Sequence, residues 1–190
     1  MLPLHLVIVA ASEAELAAFR LPDVHIAGLS LLTNPQRTPL AEIGNRFLGR
    51  SPGEVLGLCH ADTSFGPGAL EAFTDAALAG AIAGIVGIDC DRTYRWSKDN
   101  PGPVETLDSC SVFLRRDLGL RFDAQTFGGM HCHVEDLCLQ ALKAGIQVMV
   151  PPALADHVGG RTFLQEWQAE YRVYRDKLSE KWAGVAFQTT

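Results

Sequence analysis

Short apolar runs of strand length alternate with helical patterns along most of the chain, and this alternation constrains the fold more than any other feature. Residues 4–10 read LHLVIVA, a continuous apolar run typical of a central strand in a parallel sheet. Similar apolar runs cover residues 24–32, 54–59, 81–88 and 106–115. The alternation predicts an α/β fold with a mostly parallel sheet flanked by helices, in a single domain over residues 1–190 with its core in 4–160.

Three local sequence signals predict where individual helices and loops begin or end. Ser12 can cap a short helix after the first strand. Residues 91–104 are polar and rich in turn residues, and they predict a loop. A later helix ends near Gly145, which stands where a C′ residue belongs. Its apolar residues recur at i, i+3, i+4, i+7 and i+8, which indicates a buried stripe. They are Val134, Leu137, Cys138, Ala141 and Leu142.

A last amphipathic helix is predicted over residues 162–183. Its aromatic and apolar residues share one helical face: Phe163, Trp167, Tyr171, Tyr174, Leu178 and Trp182. Such a face is typical of a helix packed on the core or on a second subunit. A homodimer through this helix is therefore one expectation, and an aromatic platform for a ligand is the alternative.

Charge and cysteine content exclude several classes of protein. The formal net charge is −6, and no basic cluster of the kind that binds nucleic acid is present. The most apolar run, residues 78–88, is far shorter than the ~20 residues that span a bilayer, so no transmembrane segment is predicted. The start of the chain lacks a basic leader. Five dispersed cysteines favour reduced thiols, and we expect a cytoplasmic protein.

Polar groups follow the ends of two predicted strands, where α/β sheets bind ligands. His60 and Asp62 follow one strand, and their spacing places an imidazole and a carboxylate on the same side of the chain. Asp62 could equally be a turn residue or a helix cap. Asp156 and His157 follow another strand, although a lone histidine is more often a satisfied surface or core residue.

Two further groups lie around the start of the clearest helix. Glu135 and Asp136 occupy its first turn, where acids are favoured by the helix dipole whatever their function. A functional alternative is that one carboxylate takes a proton from a hydroxyl and the other orients it. His131 and His133 flank Cys132, but no Cys-x-x-Cys partner exists to complete a structural zinc site. Either histidine could line an acceptor site.

The order of these motifs resembles the GT-A fold glycosyltransferases of the family 2 type. Within that family it is similar to a small group with His-x-Asp in place of Asp-x-Asp. Three blocks carry the resemblance: residues 53–70 (GEVLGLCHADTSFGPGAL), residues 104–116 (VETLDSCSVFLRR) and residues 120–157, which contain LRFDAQTFGGMHCHVEDLCLQALKAGIQVMV. Lys181 and Trp182 also look familial.

The resemblance implies a metal-dependent, inverting transfer of a sugar from a nucleotide-sugar donor to the hydroxyl of an unidentified acceptor. It assigns Mn²⁺ or Mg²⁺ to Asp62, with His60 beside it and His157 as the distal ligand. Asp136 matches the catalytic base, and Glu135 its neighbour. The implied nucleotide-sugar contacts are Ala11, Ser12, Glu13, Asn34 and Asn45. The implied acceptor-side residues are Asp108, His131 and His133.

Two alternatives remain beside active glycosyl transfer. His60 replaces the usual first acid, and little chain follows His157 to build an acceptor site. These departures favour a non-catalytic nucleotide-sugar binding module on the same fold. A sugar-1-phosphate nucleotidyltransferase would need a glycine-rich, basic loop after the first strand. Residues 10–16 (AASEAEL) contain neither glycine nor a cation.

Overall fold

The central sheet of the computed structural model has seven strands, five of which run in the same direction. The model describes residues 1–158 and 165–189, with the side chains of 165–167 outside that description. The strands lie in the order β2 (Ile26–Thr33), β1 (Leu2–Ala10), β3 (Val55–His60), β10 (Ser111–Arg115), β5 (Ile82–Ala83), β11 (Val148–Val150) and β8 (Gly102–Pro103). Only β10 and β8 run opposite to the others. The predicted α/β fold with a mostly parallel sheet is confirmed.

Two small sheets branch from the central one. The first pairs β4 (Thr63–Phe65) with β12 (Ala155–His157), and the second contains β7 (Tyr94–Trp96), β6 (Val86–Ile88) and β9 (Thr106–Leu107). The apolar runs 81–88 and 106–115 therefore each form two short strands instead of one, and the predicted loop 91–104 contains β7 and β8. Gly84 lies between β5 and β6. The chain passes so close to Ser111 there that a Cβ would lie 2.8 Å from the Ser111 carbonyl oxygen.

Five described helices pack around the sheet: α1 (Glu13–Ala18), α2 (Leu40–Arg50), α3 (Ala69–Leu78), α4 (His133–Lys143) and α5 (Gln165–Lys181). Ser12 caps α1 as predicted, since its Oγ accepts a hydrogen bond from the Glu15 backbone N–H at 3.2 Å. Gly145 follows α4 with φ +74°, the left-handed conformation expected of a C′ glycine.

Both faces of the sheet are covered, which explains the continuous apolar sequence of β1. Val7 and Val9 contribute to a core that also contains residues of α2 and α4. Leu6 and Ile8 point the opposite way, into a second core with residues of α3. The sheet therefore separates two cores, and only its edges remain for polar chemistry.

The C-terminal helix α5 packs on its own chain. Tyr171, Tyr174 and Trp182 pack against a small cluster in which Leu178 is completely buried. The other members of that cluster are Phe127, Cys132 and Leu139. This part of the face is thus a core contact and does not support the expected homodimer. The start of the predicted helix at 162, Phe163 and the Trp167 side chain lie outside the described residues.

Two expectations from composition can be compared with the structure. No described helix has both the length and the apolarity required to cross a membrane. The five cysteines are free thiols, and four of them are buried. The absence of a disulfide framework among them agrees with the expectation from their number and spacing.

Candidate metal centre

His60 and Asp62 lie at the carboxyl edge of the central sheet. His60 ends β3 opposite Val9, and its backbone N–H donates to the Cys110 carbonyl at 2.9 Å. The chain then turns sharply, because the Thr63 hydroxyl donates to the His60 carbonyl at 2.7 Å. Asp62 stands within this turn. Its side chain is 39% exposed and so can reach a ligand.

A small antiparallel sheet brings His157 to the same place. In the pairing of β4 with β12, His157 lies opposite Thr63. The pairing extends to Asp62, whose carbonyl accepts a hydrogen bond from the Val158 backbone N–H at 3.0 Å. Two segments nearly a hundred residues apart in sequence are therefore joined through backbone hydrogen bonds.

His60, Asp62 and His157 form a compact group of potential metal ligands. One ligand atom from each residue lies within 4.8 Å of the other two. An ion bonded to nitrogen and oxygen at ~2.1 Å holds its ligands up to ~4.2 Å apart, so a small side-chain adjustment closes the group around a cation. The His157 Nε2 atom is 3.2 Å from Asp62 Oδ2, and the His60 and His157 ring centroids are 6.0 Å apart.

His60, Asp62 and His157 shift one another's pKa values. Burial lowers the pKa of His157, but its hydrogen bond to Asp62 and the charges of Asp108 and Asp62 outweigh burial and raise it. Burial raises the pKa of Asp62, but the contact with His157 reverses this and lowers it. Burial lowers the pKa of His60, which keeps that ring neutral. A neutral imidazole next to a carboxylate is suited to bind a cation.

Among residues 1–158 and 165–189, two buried polar atoms in this group have no hydrogen-bond partner: His60 Nε2 and Asp62 Oδ1. Buried polar atoms without a partner are rare in folded proteins because leaving one unsatisfied costs about 1–3 kcal/mol. Both atoms belong to types that bind metal ions. The residues present therefore fit the divalent cation that the resemblance implies.

A second group of possible ligands, Asp108, Cys110 and His157, shares one histidine with the first. Burial raises the pKa of the Cys110 thiol well above its usual value, and the neighbouring Asp108 raises it further. A neutral thiol is a poor metal ligand, since the thiolate is the form that binds. The first group is thus the better candidate. Asp108 lies beside it, with Oδ1 4.0 Å from His157 Nδ1.

Glu135 is connected to the same edge through Ser109. The Ser109 hydroxyl donates to Glu135 Oε2 at 3.0 Å, which ties the first turn of α4 to the segment that carries Asp108. Glu135 itself is only 3% exposed. The sequence pattern does not reveal this link, because the contact joins segments 26 residues apart.

Asp136 has a different environment from Glu135. It is 0% exposed, and its carboxylate accepts hydrogen bonds from Trp182 Nε1 at 2.8 Å and Gln140 Nε2 at 2.8 Å. The Lys181 ammonium forms an ion pair with it at 2.8 Å. Both oxygens are thus engaged by the chain itself, and the structure gives Asp136 a structural role. Its assignment as the catalytic base, which the resemblance implies, stays a prediction.

The predicted nucleotide contacts fall into two sets. Ala11, Ser12 and Glu13 are exposed just after β1, at the same sheet edge as His60. They belong to a tight capping arrangement, in which the Ala11 N–H donates to Glu15 Oε2 at 2.8 Å. Their position leaves them available to a ligand beside the metal group.

Asn34 and Asn45 each hold a backbone segment in the structure. The Asn34 amide is closed on the Thr38 backbone, donating to its carbonyl and accepting from its N–H, both at 2.8 Å. Asn45 does the same with Phe122, at 2.7 and 3.0 Å. Each amide uses its oxygen and its nitrogen to hold a loop, and a nucleotide contact at either residue stays a prediction.

The two histidines predicted on the acceptor side also differ. His133 is 0% exposed and packs near Phe122, with a ring-centroid distance of 5.9 Å, so it cannot contact an acceptor. Burial lowers the pKa of His133 to about 3. His131 is half-buried and contacts the Tyr171 ring edge-on at 5.8 Å. Only His131 therefore remains an acceptor-side candidate, together with Asp108.

The fold is shared with solved structures of low sequence identity. The crystal structure of GalNAc-T7 with UDP, GalNAc and Mn²⁺ matches with a TM-score of 0.59 and 10% identity, covering 86% of this chain and 44% of that chain. A nucleotidyl transferase from Methanothermobacter thermautotroptrophicus matches with a TM-score of 0.50 and 12% identity, covering 93% of this chain and 98% of that one.

These similarities define the fold and leave the family open. The chain spans less than half the length of the GalNAc-T7 chain that it matches. Neither the family models nor the curated protein sequences give a match. The comparisons therefore show a GT-A-like α/β fold of the kind found in nucleotide-sugar and nucleotidyl transferases, and the family 2 assignment stays a prediction.

Proposed function

We propose that this protein is a metal-dependent glycosyltransferase that moves a sugar from a nucleotide-sugar donor to an acceptor hydroxyl. One observation carries the proposal: His60, Asp62 and His157 meet at the carboxyl edge of the sheet, and two of their buried polar atoms have no partner in the part of the chain that the structure describes. This edge is where α/β sheets bind ligands. The shared fold with GalNAc-T7, a structure that contains UDP, GalNAc and Mn²⁺, supports the same assignment.

The ligand set favours Mn²⁺ over Mg²⁺. Two imidazoles and one carboxylate suit a transition-metal ion, whereas Mg²⁺ prefers oxygen ligands and retains its water. When bound, the ion would neutralise charge on the donor diphosphate as a Lewis acid. A cation is also needed because the protein carries a formal net charge of −6 and cannot attract a diphosphate by its overall charge.

We assign the proton transfer to Asp108 instead of Asp136. The Asp108 side chain is 35% exposed and lies next to His157, so an acceptor hydroxyl can approach it. Its Oδ1 accepts a hydrogen bond from the Cys110 backbone N–H at 2.8 Å, which fixes the carboxylate in place. Ser109, held by Glu135, keeps this segment against α4. A positioned base of this kind accelerates transfer by roughly 10²- to 10⁴-fold.

A non-catalytic nucleotide-sugar binding module is the second candidate. The burial and full hydrogen bonding of Asp136 favour it, because the residue that matches the family's base is not free to act as one. This candidate shares the metal group and the exposed Ala11 to Glu13 segment with the first. It differs from the first candidate in that the protein would have no turnover for Asp108 to support.

Metal and nucleotide binding can be tested by thermal unfolding with UDP-, GDP- and dTDP-sugars, each with and without Mn²⁺. We expect one donor to raise the melting temperature only when Mn²⁺ is present, and Asp62→Asn to abolish the rise. Asp117→Asn is the matched control, since this exposed carboxylate pairs with Arg115 away from the site. Stabilisation that persists in Asp62→Asn, or no response to any donor, contradicts the proposal.

Catalysis is tested separately with the donor that binds. We expect the wild-type protein to release sugar from that donor in the presence of Mn²⁺ and Asp108→Asn to bind the donor but release sugar at least ~10²-fold more slowly. Donor binding without release in either protein identifies the binding module. Equal release by both proteins removes Asp108 as the base.

A further inference from the structure

A cavity is formed where the C-terminal tail lies over α5. This cavity of about 530 Å³ lies between the tail, the start of the loop after β6 and the exposed side of α5. Arg92, Arg175 and Ser179 line it together with tail residues 182–189. The cavity lining contains no carboxylate side chain among the residues that the structure describes.

Arg92 is presented by a rigid loop. Its φ is +64°, a left-handed conformation that a non-glycine residue rarely adopts. The loop is held in this shape by Asp89, whose Oδ1 accepts the backbone N–H groups of Asp91 and Thr93 at 3.0 and 2.9 Å. The Asp89 Oδ2 atom also accepts two hydrogen bonds from Arg95, at 2.9 and 2.7 Å. Both carboxylate oxygens of Asp89 are thus used by these hydrogen bonds. Asp89 is therefore not available to pair with Arg92, which lines the cavity.

Neither arginine of the cavity has an ion pair or a side-chain hydrogen bond within residues 1–158 and 165–189. Arg92, Arg175 and Ser179 line the same cavity and carry two guanidinium groups and one hydroxyl. These are the donors that bind a phosphoryl group, because each guanidinium can offer two parallel N–H bonds to its oxygens.

The tail that completes the cavity is fixed at its far end. The Thr106 hydroxyl donates to the Gln188 carbonyl at 2.7 Å, and the Gln188 N–H donates to Glu105 Oε2 at 2.9 Å. The Tyr171 hydroxyl donates to Thr189 Oγ1 at 3.1 Å. Because these bonds hold the tail in place, the cavity is built before a ligand arrives.

We propose that this cavity binds a phosphoryl group through Arg92, Arg175 and Ser179. Thr189 lines the cavity and contacts Tyr171, whose ring meets His131 on the acceptor side of the metal centre. On the proposed function, and only if it holds, the phosphoryl group belongs to the acceptor, so the acceptor is an anionic molecule. The site itself does not depend on glycosyl transfer.

The binding site is tested with inorganic phosphate on the full chain in the presence of EDTA and without nucleotide. Amide chemical shifts of tail residues 184–189 report binding at the cavity. We expect saturable shifts there, with affinity at least ~10-fold weaker in Arg92→Ala and in Arg175→Ala. Arg172→Ala is the matched control, because this exposed arginine is on the same helix and does not line the cavity.

Each other outcome overturns part of the proposal. Absence of saturable tail shifts, or equal affinity in Arg92→Ala, Arg175→Ala and Arg172→Ala, removes the site. Acetate that binds as tightly as phosphate removes the phosphoryl assignment. Displacement of phosphate by a saturating donor nucleotide with Mn²⁺ assigns the cavity to the donor and overturns the acceptor assignment. Phosphate binding with no donor response leaves the site standing and contradicts only the glycosyl transfer.

Discussion

Two aspartates near the carboxyl edge of the sheet have opposite environments. Asp136 is 0% exposed, and its carboxylate contacts Lys181, Trp182 and Gln140. Asp62 is 39% exposed in its side chain, and its buried Oδ1 has no hydrogen-bond partner among the described residues. Both were predicted as functional carboxylates from sequence motifs, yet only one of them has bonding capacity left for a ligand.

The difference separates a stabilising carboxylate from a binding one. A buried charge whose hydrogen bonds are all made within the chain holds two elements together, and removing its partner is costly. A buried polar atom without a partner lowers stability and is retained where a ligand supplies the missing bond. We therefore expect substitutions at the two aspartate sites to change stability in opposite directions.

Lys181→Met gives the largest expected effect. It leaves the Asp136 carboxylate buried without its cation, and we expect the free energy of unfolding to fall by about 3–5 kcal/mol. Chemical denaturation of the purified protein measures the change. Lys177→Met is the matched control, one turn earlier on α5, and should change stability by no more than ~0.5 kcal/mol. Equal effects of the two substitutions would mean that Asp136 does not anchor α5.

Trp182→Phe is expected to have the next largest effect. It removes the indole N–H that donates to Asp136 at 2.8 Å, a hydrogen bond to a charged group worth about 1.5–3 kcal/mol. Trp96→Phe removes the same volume from the second core, and no described residue accepts a hydrogen bond from the Trp96 indole. The loss of stability in urea should be clearly larger for Trp182. A larger loss at Trp96 would assign the effect to packing alone.

His60→Leu tests the metal centre, the second region of the comparison. Since no described residue forms a hydrogen bond with the buried His60 Nε2, we expect its replacement to stabilise the metal-free protein by roughly 1 kcal/mol. The same substitution should abolish stabilisation by Mn²⁺. Thermal unfolding in EDTA and in Mn²⁺ measures both changes. A metal-free protein that is destabilised as strongly as by Lys181→Met would show that His60 is a structural residue.

The regular elements were predictable from the sequence because they follow from local patterns. The apolar run of β1, the Ser12 cap and the position of Gly145 each appear in the structure as the pattern indicates. The short strands were not predictable, since two- and three-residue strands are too short to show a period. The pairing of β4 with β12 joins residues 63–65 to 155–157, and no local signal encodes that contact.

The residue types of the candidate site were predictable from the sequence, but the roles of the individual residues were less so. The resemblance assigned His60, Asp62 and His157 to one metal site, and ligand atoms of these three residues lie within 4.8 Å of one another in the structure. The role of Asp136 depends on Lys181 and Trp182, which are 45 and 46 residues away. A motif shows which acids are present but not which of them a distant helix will neutralise. Asn34 and Asn45 show the same limit, because each amide is used by a backbone segment.

The smallest expected effect concerns Asp123, which shares Lys181 with Asp136. Burial raises the pKa of Asp123, but the hydrogen bonds from Lys181 and Thr126 outweigh burial and lower it to about 2. A carboxyl whose pKa is lower in the folded state stabilises the protein above the unfolded value of 3.8, and this contribution disappears as the pH falls towards 2.

The unfolding free energies of the wild-type protein and Asp123→Asn should therefore differ by less than about 1 kcal/mol at pH 5, because the pair is partly exposed, and should converge near pH 2. Asp91→Asn, at an exposed loop position, should show no such convergence. A difference that stays constant between pH 5 and pH 2 would mean that Lys181 is held by Asp136 alone. Lys181 and Asp136 would then form a single ion pair to which Asp123 adds nothing. The comparison with the metal centre would depend on Asp136 alone.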